Sequence, residues 1–140
     1  MAKYSSKPVT VNHPIQDIYD KVSNLGAFQQ RLETLPQEAK DKLGDVRFTN
    51  DSIIINAPAV GEIKFNVVER ISPSLVRLSA ENSPVPFGIA INLSEHSVGA
   101  TTVGADIDVE IPMMLRPLIG GRMQEAADKF GEMFATFFGN

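Results

Sequence analysis

Between Val103 and Phe138 the chain changes period. Up to Ile111 its apolar residues alternate with polar ones (Val103, Ala105, Ile107, Val109, Ile111). From Leu115 they recur every three or four residues (Leu115, Ile119, Met123, Ala126, Phe130, Phe134, Phe137). The first spacing puts side chains on one face of a strand and the second on one face of a helix, so one strand feeds one long C-terminal helix. Upstream, "KPVTV" reads as a first strand. "NHPIQDIYDKVSNLGAF" then takes helical period through Ile15, Ile18, Tyr19, Val22 and Leu25, with Pro14 suited to the first turn and Gly26 to the end. A second short helix carries Phe28, Leu32 and Leu35, with Pro36 as its stop.

From Asp45 to Ile111 the pattern is strands alone. "DVRFTN" and "DSIIINA" meet at the turn pair Asn50-Asp51, and "GEIKFNVVERI" sets Ile63, Phe65 and Val67 against Glu62, Lys64 and Asn66. "LVRLSAEN" sets Val76, Leu78 and Ala80 against Arg77, Ser79 and Glu81. "FGIAINLSEH" gathers Phe87, Ile89, Ile91 and Leu93 on one face, and "GATTVGADIDVEI" repeats the scheme. Each strand is apolar on one side only, as in an antiparallel sheet with one wet face. The fold class is α+β: a strand, two short helices, six strands in a meander, and a helix long enough to cover the sheet. One domain over residues 1–140 is expected.

In such a meander alternate turns lie at the same end. Asn50-Asp51, Ser72-Pro73-Ser74 and the Glu95-to-Gly99 turn gather at one end; segments 57–61 and 82–87 and the turn at Pro112 gather at the other. That second end holds Pro58, Pro84, Pro86, Pro112 and Pro117 and almost no charge. Its loops are either the lips of a cavity or simple rigid turns. Gly120-Gly121 lies early in the last helix, where glycine costs roughly 1 kcal/mol relative to alanine; a kink or a close packing against the sheet would offset that.

Composition narrows the chemistry. Net charge is −4 with a pI near 5.1, which leaves no basic footprint for nucleic acid. Cysteine is absent, so thiolate catalysis, disulfides and Cys-ligated metals are excluded. No apolar run suggests a signal peptide or an integral membrane segment, and a cytoplasmic location is expected. No catalytic constellation and no metal or cofactor site emerges. Of the only two histidines, His96 falls in a turn at the end opposite the proline-rich loops and His13 precedes the first helix, both reading as capping or solvated residues. Glu69 shares the inward parity of its strand, for which a bulge or an exposed strand end is the cheapest account; Tyr19 and Asn82 are the other polar groups able to reach the interior. Asp106, Asp108 and Glu110 form an outward, solvated row without calcium-loop spacing.

The order of elements, the transition "DVEIPMMLRPLIGGRMQEAADKFGEMFATF" and the strand "GEIKFNVVERISP" resemble the START-like (SRPBCC) superfamily, and within it the small bacterial proteins of the polyketide cyclase and lipid-transport branch. The resemblance implies a helix-grip fold, a curved seven-stranded antiparallel sheet wrapped around a long C-terminal helix with two short helices between strands 1 and 2. It also implies an apolar cavity between sheet and helix. By inward parity that cavity would be lined by Phe65, Val67, Leu78, Ala80, Phe87, Ile89, Ile91, Val103, Ala105 and Ile107 from the sheet, and by Leu115, Ile119 and Met123 from the helix, with Phe130 onward packing on the first two helices. Pro58, Val60, Pro84, Val85 and Pro86 would frame the entrance. The expected function is binding or transport of a hydrophobic small molecule or lipid by a monomer or homodimer. Alternatives are an aromatic polyketide cyclase or dehydratase, which would need a large cavity with convergent polar groups, and a protein-interaction module, which would have a filled core.

Overall fold

Alternating stretches form strands and helical-period stretches form helices in the computed structural model, which describes residues 2–43, 45–57, 61–81 and 86–138. Strands β1 (Ala2–Ser5) and β2 (Val9–Val11) precede helices α1 (Ile15–Ser23), α2 (Gly26–Thr34) and α3 (Gln37–Leu43). Then come β3 (Val46–Phe48), β4 (Ser52–Ala57), β5 (Gly61–Ile71), β6 (Leu75–Ala80), β7 (Phe87–Ser97) and β8 (Ala100–Val109), a 3-10 turn at Met113–Leu115, and the long helix α4 (Arg116–Phe138). All pairings are antiparallel, in the order β1-β8-β7-β6-β5-β4-β3. β2 also pairs with β8, end to end with β1, so the sheet is seven strands wide. The stretch "KPVTV" is therefore only the second piece of the edge strand. At the break, the Ser6 N–H donates to the Ala105 carbonyl (2.8 Å), and Ser6 Oγ accepts the Ala105 N–H (2.9 Å), so a hydroxyl replaces a ladder carbonyl.

The inward face is the apolar parity of each strand. Val103, Ala105, Ile107 and Val109 of β8, Ile89, Ile91 and Leu93 of β7, and Val76 and Leu78 of β6 are all buried. Against them α1 buries Ile18, Tyr19 and Val22, and the C-terminal half of α4 buries Ala127, Phe130, Met133, Phe134, Phe137 and Phe138. Phe28 of α2 links the layers, its ring 5.0 Å from Phe137, 5.6 Å from Phe138 and 5.5 Å from Phe48 of β3. Of the expected packing of α4 onto the first two helices, these contacts contain the part on α2.

Four local features differ from the sequence pattern. Gly26 opens α2 instead of closing α1: a Cβ there would meet the Asn50 side chain, beside the point where Leu25 docks its N–H on the Asn50 carbonyl (3.2 Å). Pro36 stops α2 and also starts α3, its carbonyl accepting the Lys40 N–H (3.1 Å), so three short helices stand where two were expected. His96 lies in β7, at a register irregularity between Glu95 and Ser97; the turn is Val98-Gly99, with Gly99 at φ +78°. Finally, β5 slips register between Val67 and Glu69. That bulge turns Glu69 to the outer face, where it accepts from Arg77 Nε (3.1 Å), and sets Arg70 opposite the buried Val76.

Candidate ligand-binding cleft

One end of the grip is tied shut. Arg70 donates through Nε and Nη2 to the Ser23 carbonyl at the end of α1 (3.1 and 3.0 Å), and Nη2 also reaches Asp51 Oδ1 (2.8 Å) in the β3–β4 turn. A guanidinium there satisfies an orphan helix carbonyl and opposes the negative end of the helix dipole. His13 Nε2 lies 3.0 Å from the carbonyl of Phe138, while the His13 carbonyl accepts from the buried hydroxyl of Thr101 (2.7 Å). His13 thus joins the end of α4 to the start of α1, a structural role at the closed end.

Two contacts fix the lean of α4. Gln124 Nε2 donates to the Ser5 carbonyl (2.9 Å), and Gly131 packs so closely on the β1–β2 junction that a Cβ would lie 3.3 Å from Ser6 Cβ and 3.4 Å from the Lys7 carbonyl oxygen. Drawn toward β1 and β2, the helix leaves a gap on the other side of the sheet. The gap is an apolar cleft of about 80 Å³ between the inward face of β3–β4 and the middle of α4, lined by Val46, Ile55, Ala126, Lys129, Phe130 and Met133. Val46 and Ile55 are cross-strand partners, and Ile63 continues their row; all three are half-buried. A broader hollow is lined by Lys21, Ala27, Phe28, Gln30, Arg31 and Thr34 of α1 and α2.

None of the six cleft residues is among those expected to line a cavity. Of the latter, Phe65, Leu78, Ile89, Ile91, Val103, Ala105 and Ile107 are buried core. Val67, Ala80 and Phe87 are half-buried and pack against that core. Ala80 lies opposite Phe65, and over it the rings of Phe65 and Phe87 meet edge to face at 5.2 Å. Met123 is half-buried, Leu115 is 43% exposed, and Ile119 lies in α4 with its side chain outside the described atoms. Pro58, Val60, Pro84 and Val85, with Asn82, lie outside the described residues; Pro86 is exposed, its carbonyl accepting the Glu110 N–H (3.0 Å). The sequence signal for the actual lining was the inward parity of Val46 and Ile55 on the edge hairpin. No strand pattern, however, encodes the direction in which α4 tilts.

The start of α4 lies open. Met113 and Met114, in the 3-10 turn before it, and Leu118, in its first turn, are 78%, 90% and 74% exposed, so the entry to the helix lies off the core. Gly121 is exposed too, and a Cβ there would meet nothing within 4 Å, which removes close packing as its reason. Gly121→Ala is therefore expected to raise stability by up to about 1 kcal/mol in chemical denaturation, because a helical glycine loses backbone entropy that nothing here offsets.

The cleft carries little chemistry. Among the described residues, Lys129 is the only ionisable one lining it. Among the described residues no group of three His, Asp or Glu side chains is placed to hold a metal ion, and no buried side-chain polar atom lacks a partner. No described helix is long and apolar enough to cross a membrane.

A curved antiparallel sheet gripping a long C-terminal helix, with short helices after the first strand, is the START-like helix-grip fold, and this chain has it. Among solved structures it is similar to a START superfamily protein from Mycobacterium smegmatis, with TM-score 0.62 and 12% identity over 97% of this chain and 96% of that one. It is also similar to norcoclaurine synthase from Thalictrum flavum, solved in complex with dopamine and hydroxybenzaldehyde (TM-score 0.70, 8% identity, 97% and 86% covered). A third similar structure is the Aha1 dimer from Colwellia psychrerythraea (TM-score 0.58, 13% identity, 100% and 99% covered). No protein-family model matches the chain, and no curated protein does.

Proposed function

We propose that the protein binds a hydrophobic small molecule or lipid in the gap between its sheet and α4. The observation that carries this reading is the cleft itself: an apolar gap between sheet and helix, lined on the sheet side by the half-buried Val46 and Ile55, that the helix leaves uncovered. A gap of about 80 Å³ is smaller than the ~150 Å³ cavity that admits a benzene ring. The cleft therefore seats one thin apolar group at a time, and a larger ligand requires α4 to move away from β3–β4. The open first half of α4 and the glycine at Gly121 favour such a movement. That another protein of this fold, norcoclaurine synthase, is seen with two small aromatic molecules supports a ligand role for the fold.

A second reading, a protein-interaction module, is favoured by one observation: the packed middle of the grip together with the exposed Met113, Met114 and Leu118. The dimeric state of the Aha1 protein fits a homodimer under that reading. An enzyme of the cyclase kind draws no support from the cleft, whose described lining brings no acid and base together. Titration with 1-decanol, followed residue by residue through backbone amide shifts, separates the first two readings. Ligand binding moves the cleft residues at saturable, micromolar-to-millimolar probe concentrations; an interaction module leaves them unmoved.

A further inference from the structure

The cleft has an anomaly in its wall. Ala126, Lys129, Phe130 and Met133 follow one face of α4 at spacings of three and four, the face turned toward β3–β4. Three of the four are apolar and half-buried or buried, as a core-facing stripe should be. Lys129 stands among them with its side chain exposed at the rim, and among the described residues it makes no ion pair and no side-chain hydrogen bond. The strand arginines are different. Arg47, Arg70 and Arg77 hold Glu62, Asp51 and Glu69 at 2.9, 2.8 and 3.1 Å. The carboxylate next to Val46 on the facing wall, Asp45, is engaged by Asn56 Nδ2 (3.2 Å).

Building on the ligand-binding reading above, we propose that the cleft is selective for an apolar molecule bearing one anionic group, a carboxylate in the simplest case. The apolar part lies between Val46, Ile55 and Phe130, and the anion sits on the Lys129 ammonium at the rim. A lysine can lay its four-carbon stem along an apolar wall and keep its charge at the water boundary. There, with protein on one side, the field of the ammonium is screened less than in bulk water, so an anion is drawn to the rim and its apolar end is aimed inward. The small volume restricts the inserted part to a thin unbranched chain.

The test compares decanoate with 1-decanol, which share a chain length and differ in charge, by calorimetry on the full chain with amide shifts reporting the site. Wild-type protein is expected to prefer decanoate. In Lys129→Met, which keeps the apolar stem, the decanoate-to-decanol affinity ratio should fall about fivefold, the size of one partly exposed ion pair, with decanol affinity unchanged. Lys129→Gln should behave like Lys129→Met, which guards against a packing effect of either replacement. An unchanged ratio in both variants, with decanol still moving the Val46, Ile55 and Ala126 amides, overturns selectivity for anions and leaves the apolar site standing. Failure of both probes to bind wild-type protein overturns the site as well.

Discussion

Phe137→Ala lowers the free energy of unfolding by about 3–5 kcal/mol and the thermal midpoint by on the order of 10 °C. Phe137 is 1% exposed and joins α4 to α2 and the edge hairpin through Phe28 at 5.0 Å and Phe48 at 6.1 Å. Removing the ring forfeits its transfer free energy and leaves a hole that three elements cannot collapse together to fill, since α2 is fixed by the Leu25–Asn50 hydrogen bond and α4 by Gly131 on Ser6. Against a total stability of about 5–15 kcal/mol for a domain, that is a large share. Denaturant titration with the slope held common to both proteins measures it. A loss below about 1 kcal/mol would mean that α4 is held elsewhere than in this aromatic cluster.

Adding the same three carbons at two alanines gives opposite outcomes. Ala105 is 1% exposed, faces the core from the centre of β8 opposite Ile91, and has its N–H on Ser6 Oγ. Ala105→Leu overpacks that point and is expected to cost about 2–3 kcal/mol. Ala126 stands half-buried on the wall of the cleft. Ala126→Leu fills open apolar space on a helix, where leucine is well tolerated, so its stability should change by less than about 0.5 kcal/mol while binding of 1-decanol is lost. Equal destabilisation by the two changes would place the free volume somewhere other than the β3–β4 side of α4.

Those two alanines also mark what the sequence could convey. The parity of β8 was readable to the residue, because alternation is local and one buried face enforces it: Val103, Ala105, Ile107, Val109 and Ile111 all point inward and are buried. Strict alternation fails at Glu69, and the glutamate on the inward parity was itself the sign of it: of the two accounts it allowed, a bulge or an exposed strand end, the register slip between Val67 and Glu69 is the bulge. Gly26 looked like a helix end; its reason is Asn50, twenty-four positions on and invisible to any local pattern. Pro36 was read only as a stop, although proline is as well suited to the first turn of a new helix. The cleft was the least legible feature. Its position follows from where α4 leans, and that lean is set by Gln124 on Ser5 and by Gly131 against Ser6, contacts between residues more than a hundred positions apart. The stripe through Ala126 and Phe130 was visible as a helical face; which part of the sheet it would meet was not.

The most direct measurement for a ligand site between sheet and helix is the map of backbone amide shifts as 1-decanol is added to the isotope-labelled protein. The expected map has its largest, saturable shifts at Val46, Ile55, Ala126, Phe130 and Met133, with little change at the closed end around Arg70 and His13. Shifts confined to Met113, Met114 and Leu118 at the exposed start of α4, or no saturable shift anywhere, would contradict it.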